Sequence, residues 1–254
     1  MLYLVGLGLH DEGDLSIKGL EALKKADRIY AESYTSFYNG NLSVIEQWID
    51  KKIILLDRTD IEEKISSNLL SNSKDEDIAL LVCGDPLIAT THADIILQAQ
   101  NKDIKFKVIH SSCIYSAVAE TGLHIYKFGK TTTLPYPEKN YLPCSPYDVI
   151  RQNQDMRLHS LVLLDVKADE KRYMSVNEGI EVLLRMEDDR KKGLVDDDLF
   201  IVAAARLGGD SIIKAGSLRQ LMTLNYGGPP HCIIIPAQLH YTEKQMLKLN
   251  SAGD

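Results

Sequence analysis

The sequence predicts an α/β protein built as two α/β domains. Eight short runs rich in Val, Ile and Leu recur along the 254 residues, and amphipathic stretches with capping residues separate them. One complete set of strand and helix units ends near residues 108–112, where another begins. That puts a hinge between a first domain over 1–109 and a second over 110–254.

In the first domain, strands are expected at 2–5, 28–31, 53–56, 78–83 and 104–109. Ser16 is placed to cap a helix with Ile17, Leu20 and Leu23 on one face. Thr91 and Asp94 have capping-box spacing ahead of Ile95, Ile96 and Leu97, which seats His92 in a first helical turn and outside any site. In the second domain a helical piece over 117–120 should stop at Gly122. Residues 130–146 hold four prolines and little periodicity, the pattern of a long loop. Strands follow at 160–164, 200–205 and 232–235, and the charge run 186–198 reads as a solvated helix end and loop. Runs this apolar imply parallel-rich sheets with both faces covered.

Thirty-six acidic against 29 basic residues leave a net charge of −7, and no basic cluster offers a footprint for a phosphate backbone, so a nucleic-acid partner is excluded. Cys83, Cys113, Cys144 and Cys232 stand far apart with no C-x-x-C pair, the pattern of reduced, mostly buried thiols rather than of a metal site. No basic segment precedes Lys18, and no apolar run is long enough to span a membrane, so no membrane partner and a cytoplasmic location are expected.

Open α/β sheets bind ligands beyond the carboxyl ends of their strands, and five unusual segments follow predicted strands here. They are Gly6-Leu7-Gly8-Leu9, Gly84-Asp85-Pro86, His110-Ser111-Ser112-Cys113, Asp165, and Arg206-Leu207-Gly208-Gly209. His231, after Gly227-Gly228-Pro229-Pro230, is an exception because it precedes its strand. Turn chemistry alone accounts for any one of these segments. Gly6-x-Gly8 does not extend to a dinucleotide fingerprint, since Asp11 stands where a third glycine is required. Asp11, Glu12, Asp14 and Asp85 oppose bound phosphates and suit a cationic adenosine cofactor such as S-adenosyl-L-methionine.

Five segments carry a family resemblance. "GLGLHDEGDLSIKGLEALKKADRIYAESYTS" (6–36), "GDPLIATTH" (84–92), "HSSCIYSAVAETGLHIYKFGKTTTLPYPE" (110–138), "LLDVKADEKRYM" (163–174) and "GGPPHCIIIPAQLH" (227–240) resemble the diphthine synthases, a branch of the tetrapyrrole-methylase-like methyltransferases. The resemblance implies two α/β domains with S-adenosyl-L-methionine in the cleft between them, and a homodimer. The activity it implies is repeated N-methylation of an amino-carboxypropyl-histidine on translation elongation factor 2, in diphthamide biosynthesis. The cofactor contacts it implies are Leu9, Asp85, Ile88, Cys113, Ile114, Leu164, Leu207 and His231; no metal is implied and no catalytic residue is assigned. On spacing alone Leu9, Ile88, Ile114, Leu164 and Leu207 read as core residues, Asp85 as a turn brace and His231 as a strand-entry hydrogen bond. Tyr115 and Tyr126 are placed to hold a methylammonium by cation–π contact. A corrinoid-precursor methyltransferase and a non-catalytic cofactor sensor are the alternative functions.

Overall fold

The computed structural model describes residues 1–32, 36–62, 69–139 and 141–252. Residues 33–35 of the first resembling segment, and residue 140 of the proline-rich stretch, lie outside the described residues. The chain divides into two compact units, Met1–Ala117 and Val118–Asp254.

The first unit holds strands β1 (Leu2–Gly6), β2 (Arg28–Glu32), β3 (Ile53–Leu56), β4 (Ile78–Val82) and β5 (Phe106–Ile109). They form one sheet in the order β3-β2-β4-β1-β5, with every pairing parallel. Strand β1 shows why the sequence reads as a continuous apolar run. Leu2 and Leu4 enter the core on one face while Tyr3 and Val5 enter the core on the other. The helices of this unit among the described residues are α1 (Ile17–Lys25), α2 (Leu42–Ile49), α3 (Arg58–Glu62), α4 (Ala93–Asn101) and α5 (Ile114–Ala117).

Ser16 caps α1 as expected, its side chain accepting from the Gly19 amide at 3.0 Å. The buried stripe, however, is Gly19, Ala22 and Leu23, and Ile17 is 78% exposed. Gly19 sets this phase, because a Cβ there would come within 3.0 Å of Val5 Cγ1 and 2.9 Å of Leu15 Cδ1. The expected cap at Thr91 is not formed. The N-cap of α4 is His92, without a side-chain capping bond, while Asp94 turns to Gln98 Nε2 at 2.6 Å. His92 therefore precedes the first turn, and it is fully buried.

The second unit holds β6 (Thr132–Leu134), α6 (Ser145–Asp155), β7 (Ser160–Leu164), β8 (Val166–Lys167), β9 (Arg172–Tyr173), α7 (Val176–Arg190), β10 (Phe200–Ala205), β11 (Ile212–Ser217), α8 (Leu218–Leu221), β12 (His231–Ile235) and α9 (Tyr241–Lys248). Its main sheet runs β11-β10-β12-β7-β6. Only β6 and β7 pair in parallel; β10 with β11, β10 with β12 and β12 with β7 are antiparallel. The parallel-rich expectation thus describes the first sheet, whereas in the second the apolar runs conceal strand direction. Residues 130–146 are not one loop either, since they contain β6 and the start of α6.

Gly122 follows a short helical segment with φ of 84°, as a terminating glycine should. A Cβ there would come within 2.3 Å of Met246 Cβ on α9, so the same glycine lets that helix pack closely. In the charge run, residues 188–192 are exposed but Met186 is fully buried. Glu187 also departs from a purely solvated face: it accepts from the Gly193, Leu194 and Val195 amides and the Tyr147 hydroxyl. Burial would raise its carboxyl, but those donors outweigh it and hold it at about 2. Cys144 and Cys232 are buried, and Cys83 and Cys113 are half-buried free thiols.

Candidate cofactor site

In the first sheet β1 connects leftward to β2 and β4 connects rightward to β5, so the β4–β1 junction is the point where the winding reverses. Such a switch point opens a crevice at the strands' carboxyl ends. The loops after β1 and β4 meet there. Gly8 and Gly84 exchange backbone hydrogen bonds, with Gly8 N donating at 3.2 Å and Gly84 N at 2.8 Å. Gly6 allows this approach, because a Cβ on it would stand 2.6 Å from Gly84 O and 2.7 Å from Ser111 Cβ. Asp14 braces the first loop by accepting from the Leu9 amide at 3.1 Å and the His10 amide at 2.7 Å.

Asp85 is 5% exposed and fully engaged with its surroundings. Its Oδ1 accepts from Leu87 N at 3.1 Å; its Oδ2 accepts from Ser111 N at 3.2 Å and pairs with His110 Nδ1 at 2.8 Å. One carboxylate thus joins the loops after β4 and β5. Ala89, next to half-buried Ile88, has φ of 55°, a left-handed conformation that non-glycine residues rarely hold. Cys113 and Ile114, both half-buried, begin the turn into α5, where Ser116 Oγ donates to Cys113 O at 2.9 Å. Leu9, Asp85, Ile88, Cys113 and Ile114 therefore share the carboxyl edge of one sheet.

The second unit resolves the exception at His231. Strand β12 runs antiparallel to its neighbours, so its first residue pairs with Ala205 at the end of β10, and Cys232 pairs with Leu163 near the end of β7. Leu164, Leu207 and His231 consequently lie along one sheet edge. The first two are buried at 7% and 6% exposure, and His231 is half-buried. Both of its ring nitrogens are engaged: Nδ1 accepts from Val176 N at 3.2 Å and Nε2 donates to Gly228 O at 2.9 Å. Burial, first of all, lowers its pKa and keeps the ring neutral. Asp165 accepts from the Tyr136 amide at 2.8 Å. Tyr115 and Tyr126 are both exposed, and the Tyr126 hydroxyl meets His124 Nδ1 at 3.0 Å.

The donor set fits a cationic, adenosine-bearing cofactor. Residues 6–15, 84–92 and 110–117 include four carboxylates and no Lys or Arg, a charge balance hostile to polyphosphate and tolerant of a sulfonium. At the second edge the Arg206 guanidinium donates to the Tyr226 and Gly228 carbonyls at 2.7 and 2.6 Å, while Lys167 and Arg172 stand over the Tyr136 ring at 5.8 and 3.7 Å. Sequence reasoning missed the pairing of Asp85 with His110. Twenty-five residues separate them, and no local pattern signals the bond.

Residues 1–221 match the family described as Tetrapyrrole (Corrin/Porphyrin) Methylases. The chain is 45% identical over 252 residues to the diphthine synthase of Methanocaldococcus jannaschii, covering 98% of both chains. It is 44% identical over 250 residues to that of Methanosphaera stadtmanae, covering 97% of this chain and 94% of the other. Among solved structures, a diphthine synthase crystal structure superposes with a TM-score of 0.88 at 35% identity, covering 98% of this chain and 95% of that one. The glycine-turned, acid-bearing strand ends of the first sheet and these full-length likenesses agree: the chain belongs to the tetrapyrrole methylase family, in its diphthine synthase branch.

Proposed function

We propose that this methyltransferase uses S-adenosyl-L-methionine to methylate, repeatedly, the amine of an amino-carboxypropyl-histidine on translation elongation factor 2, the diphthine-forming step of diphthamide biosynthesis. The observation that carries the reading is near-complete similarity to curated diphthine synthases, with 98% of both chains aligned at 45% identity. The residues that the family resemblance implies as cofactor contacts, Leu9, Asp85, Ile88, Cys113, Ile114, Leu164, Leu207 and His231, are proposed to hold the cofactor. When bound, it supplies an electrophilic methyl carbon attached to a positively charged sulfur.

The chain's own contribution is to fix, desolvate and align. Leu9, Ile88 and Ile114 offer apolar surface to a base and ribose, and the braced loops lose little entropy when a ligand settles on them. Displacement at a sulfonium by a neutral amine moves positive charge from sulfur to nitrogen and creates no anion, so no oxyanion hole is required. A homodimer, which the family resemblance implies, and a cytoplasmic location, with which the lack of a membrane-length apolar helix among the described residues is compatible, belong to the same reading.

The test mixes purified chain, S-adenosyl-L-methionine labelled on its methyl group, and elongation factor 2 with or without the amino-carboxypropyl group. Label restricted to the modified factor supports the reading. Label on a corrinoid precursor instead would move the chain to small-molecule methylation.

A further inference from the structure

An amine held as an ammonium cannot attack a methyl group, because its lone pair is occupied by a proton. Each round of N-methylation that starts from an ammonium must first remove one proton. The sequence assigns no group to that task. The loops after β4 and β5 supply one.

We propose that His110 is the proton acceptor for the substrate amine and that Asp85 is its positioning residue, an inference that rests on the methyltransferase reading above. Asp85 as a carboxylate can only accept hydrogen bonds, so the 2.8 Å contact places a proton on His110 Nδ1. The neutral ring then carries its lone pair on Nε2. The two partners differ sharply in environment: the Asp85 side chain is 6% exposed and that of His110 is 70% exposed. One end of the imidazole is therefore anchored to a carboxylate that backbone amides of Leu87 and Ser111 hold in place. The other end is open to an incoming substrate and to water. This division of labour, an oriented ring with a free basic nitrogen and a buried carboxylate behind it, is the arrangement general bases use in unrelated enzymes.

The location is appropriate too. His110 follows β5 directly, three residues before Cys113, on the same sheet edge as the five residues proposed to hold the cofactor in the first unit. In the step itself, one N–H bond of the ammonium breaks, its proton passes to His110 Nε2, and its electron pair stays on the amine nitrogen. That pair forms the new bond to the transferred methyl group as the methyl carbon's bond to sulfur breaks and its electrons remain on sulfur. The imidazolium left behind is stabilised by Asp85 and, being exposed, returns its proton to water before the next round. Because the same amine is deprotonated each time, a base that resets from solvent suits repeated methylation.

The test compares wild type, His110→Ala and His110→Gln in single-turnover methylation of modified elongation factor 2, with cofactor binding measured separately by calorimetry. His110→Ala is expected to slow transfer by about 100-fold or more, within the usual range for loss of a general base, while cofactor affinity is unchanged. Added imidazole should restore a substantial part of the alanine variant's rate and none of the glutamine variant's, since glutamine fills the space. Long-range 1H–15N spectra of the protein without substrate should show His110 protonated on Nδ1 and bare on Nε2. A wild-type rate in His110→Ala, an Nε2-protonated ring, or a loss traced entirely to weaker cofactor binding would overturn the assignment while leaving methyl transfer intact. Absence of label with the wild-type chain would overturn the elongation-factor reading and this inference with it.

Discussion

His231 stands directly across the β10–β12 ladder from Ala205. The two strands run in opposite directions, so the entry to one shares an edge with the exit from the other. Arg206, next along from Ala205, completes the relationship: its amide donates to Pro230 O at 2.8 Å, and its guanidinium bonds the carbonyls of Tyr226 and Gly228. The loop that presents His231 is thus clamped by the loop that presents Leu207.

That clamp should be measurable. Arg206→Ala removes the guanidinium hydrogen bonds to the Tyr226, Gly228 and Asp210 carbonyls and leaves Gly228 O with His231 Nε2 alone. A loss of roughly 1–3 kcal/mol in stability is expected, the usual result of removing a charged hydrogen-bond donor. Hydrogen exchange should accelerate at the amides of residues 226–228 and leave the β1–β5 sheet unchanged.

Gly6→Ala tests the first edge. Its added methyl must displace Gly84 O, 2.6 Å away, and Ser111 Cβ at 2.7 Å, both in the loops that carry Asp85 and its partners. Overpacking of this kind costs about 1–3 kcal/mol, and cofactor affinity measured by calorimetry should fall in parallel.

Three histidines set an expected pH dependence of stability. Burial is the first cause lowering the pKa of His92, His159 and His231, so the unfolded chain takes up their protons before the folded one does. Their contribution is complete above the unfolded value of about 6.5 and is lost as pH falls below it. Urea midpoints should therefore be level between about pH 7 and 8 and decline toward pH 5.

Glu243 anchors the second unit. It is fully buried and receives Lys127 Nζ, His159 Nε2 at 3.0 Å, the His124 amide at 2.9 Å and the His240 amide at 2.6 Å. His159 Nδ1 accepts from the Ala237 amide at 2.9 Å, which leaves its Nε2 proton for Glu243. Burial would raise the Glu243 carboxyl, yet these donors hold it at about 2, below the unfolded value. Its stabilisation is complete above about pH 4.3 and lost as pH falls toward 2. Glu243→Gln should cost on the order of 3 kcal/mol in urea unfolding, because Lys127 loses its buried counter-charge.

Much of this architecture could be read from the residues. All eight expected strands are present, because each is an apolar run of strand length; β1 and β4 are covered on both faces as expected, whereas the edge strands β3 and β5 leave Ile54, Leu55 and Phe106 exposed. Strand β6 escaped notice since its three residues lie among prolines, and β11 because Lys214 and Ser217 interrupt its apolar pattern. Direction was invisible: nothing in Ile201 or Ile233 says that β10 and β12 oppose one another, and so His231 looked out of place. Within the candidate site, the turn at Gly84-Asp85-Pro86 and the family motifs could be recognised locally. The bond from Asp85 to His110 could not, because it depends on two strands that become neighbours of β1 only in the folded sheet.

The most direct measurement of the central claim is transfer of labelled methyl groups from S-adenosyl-L-methionine to purified elongation factor 2. Label is expected on the factor whose target histidine carries the amino-carboxypropyl group, and none on the factor lacking it. Equal labelling of both forms, or labelling of neither, would contradict that claim.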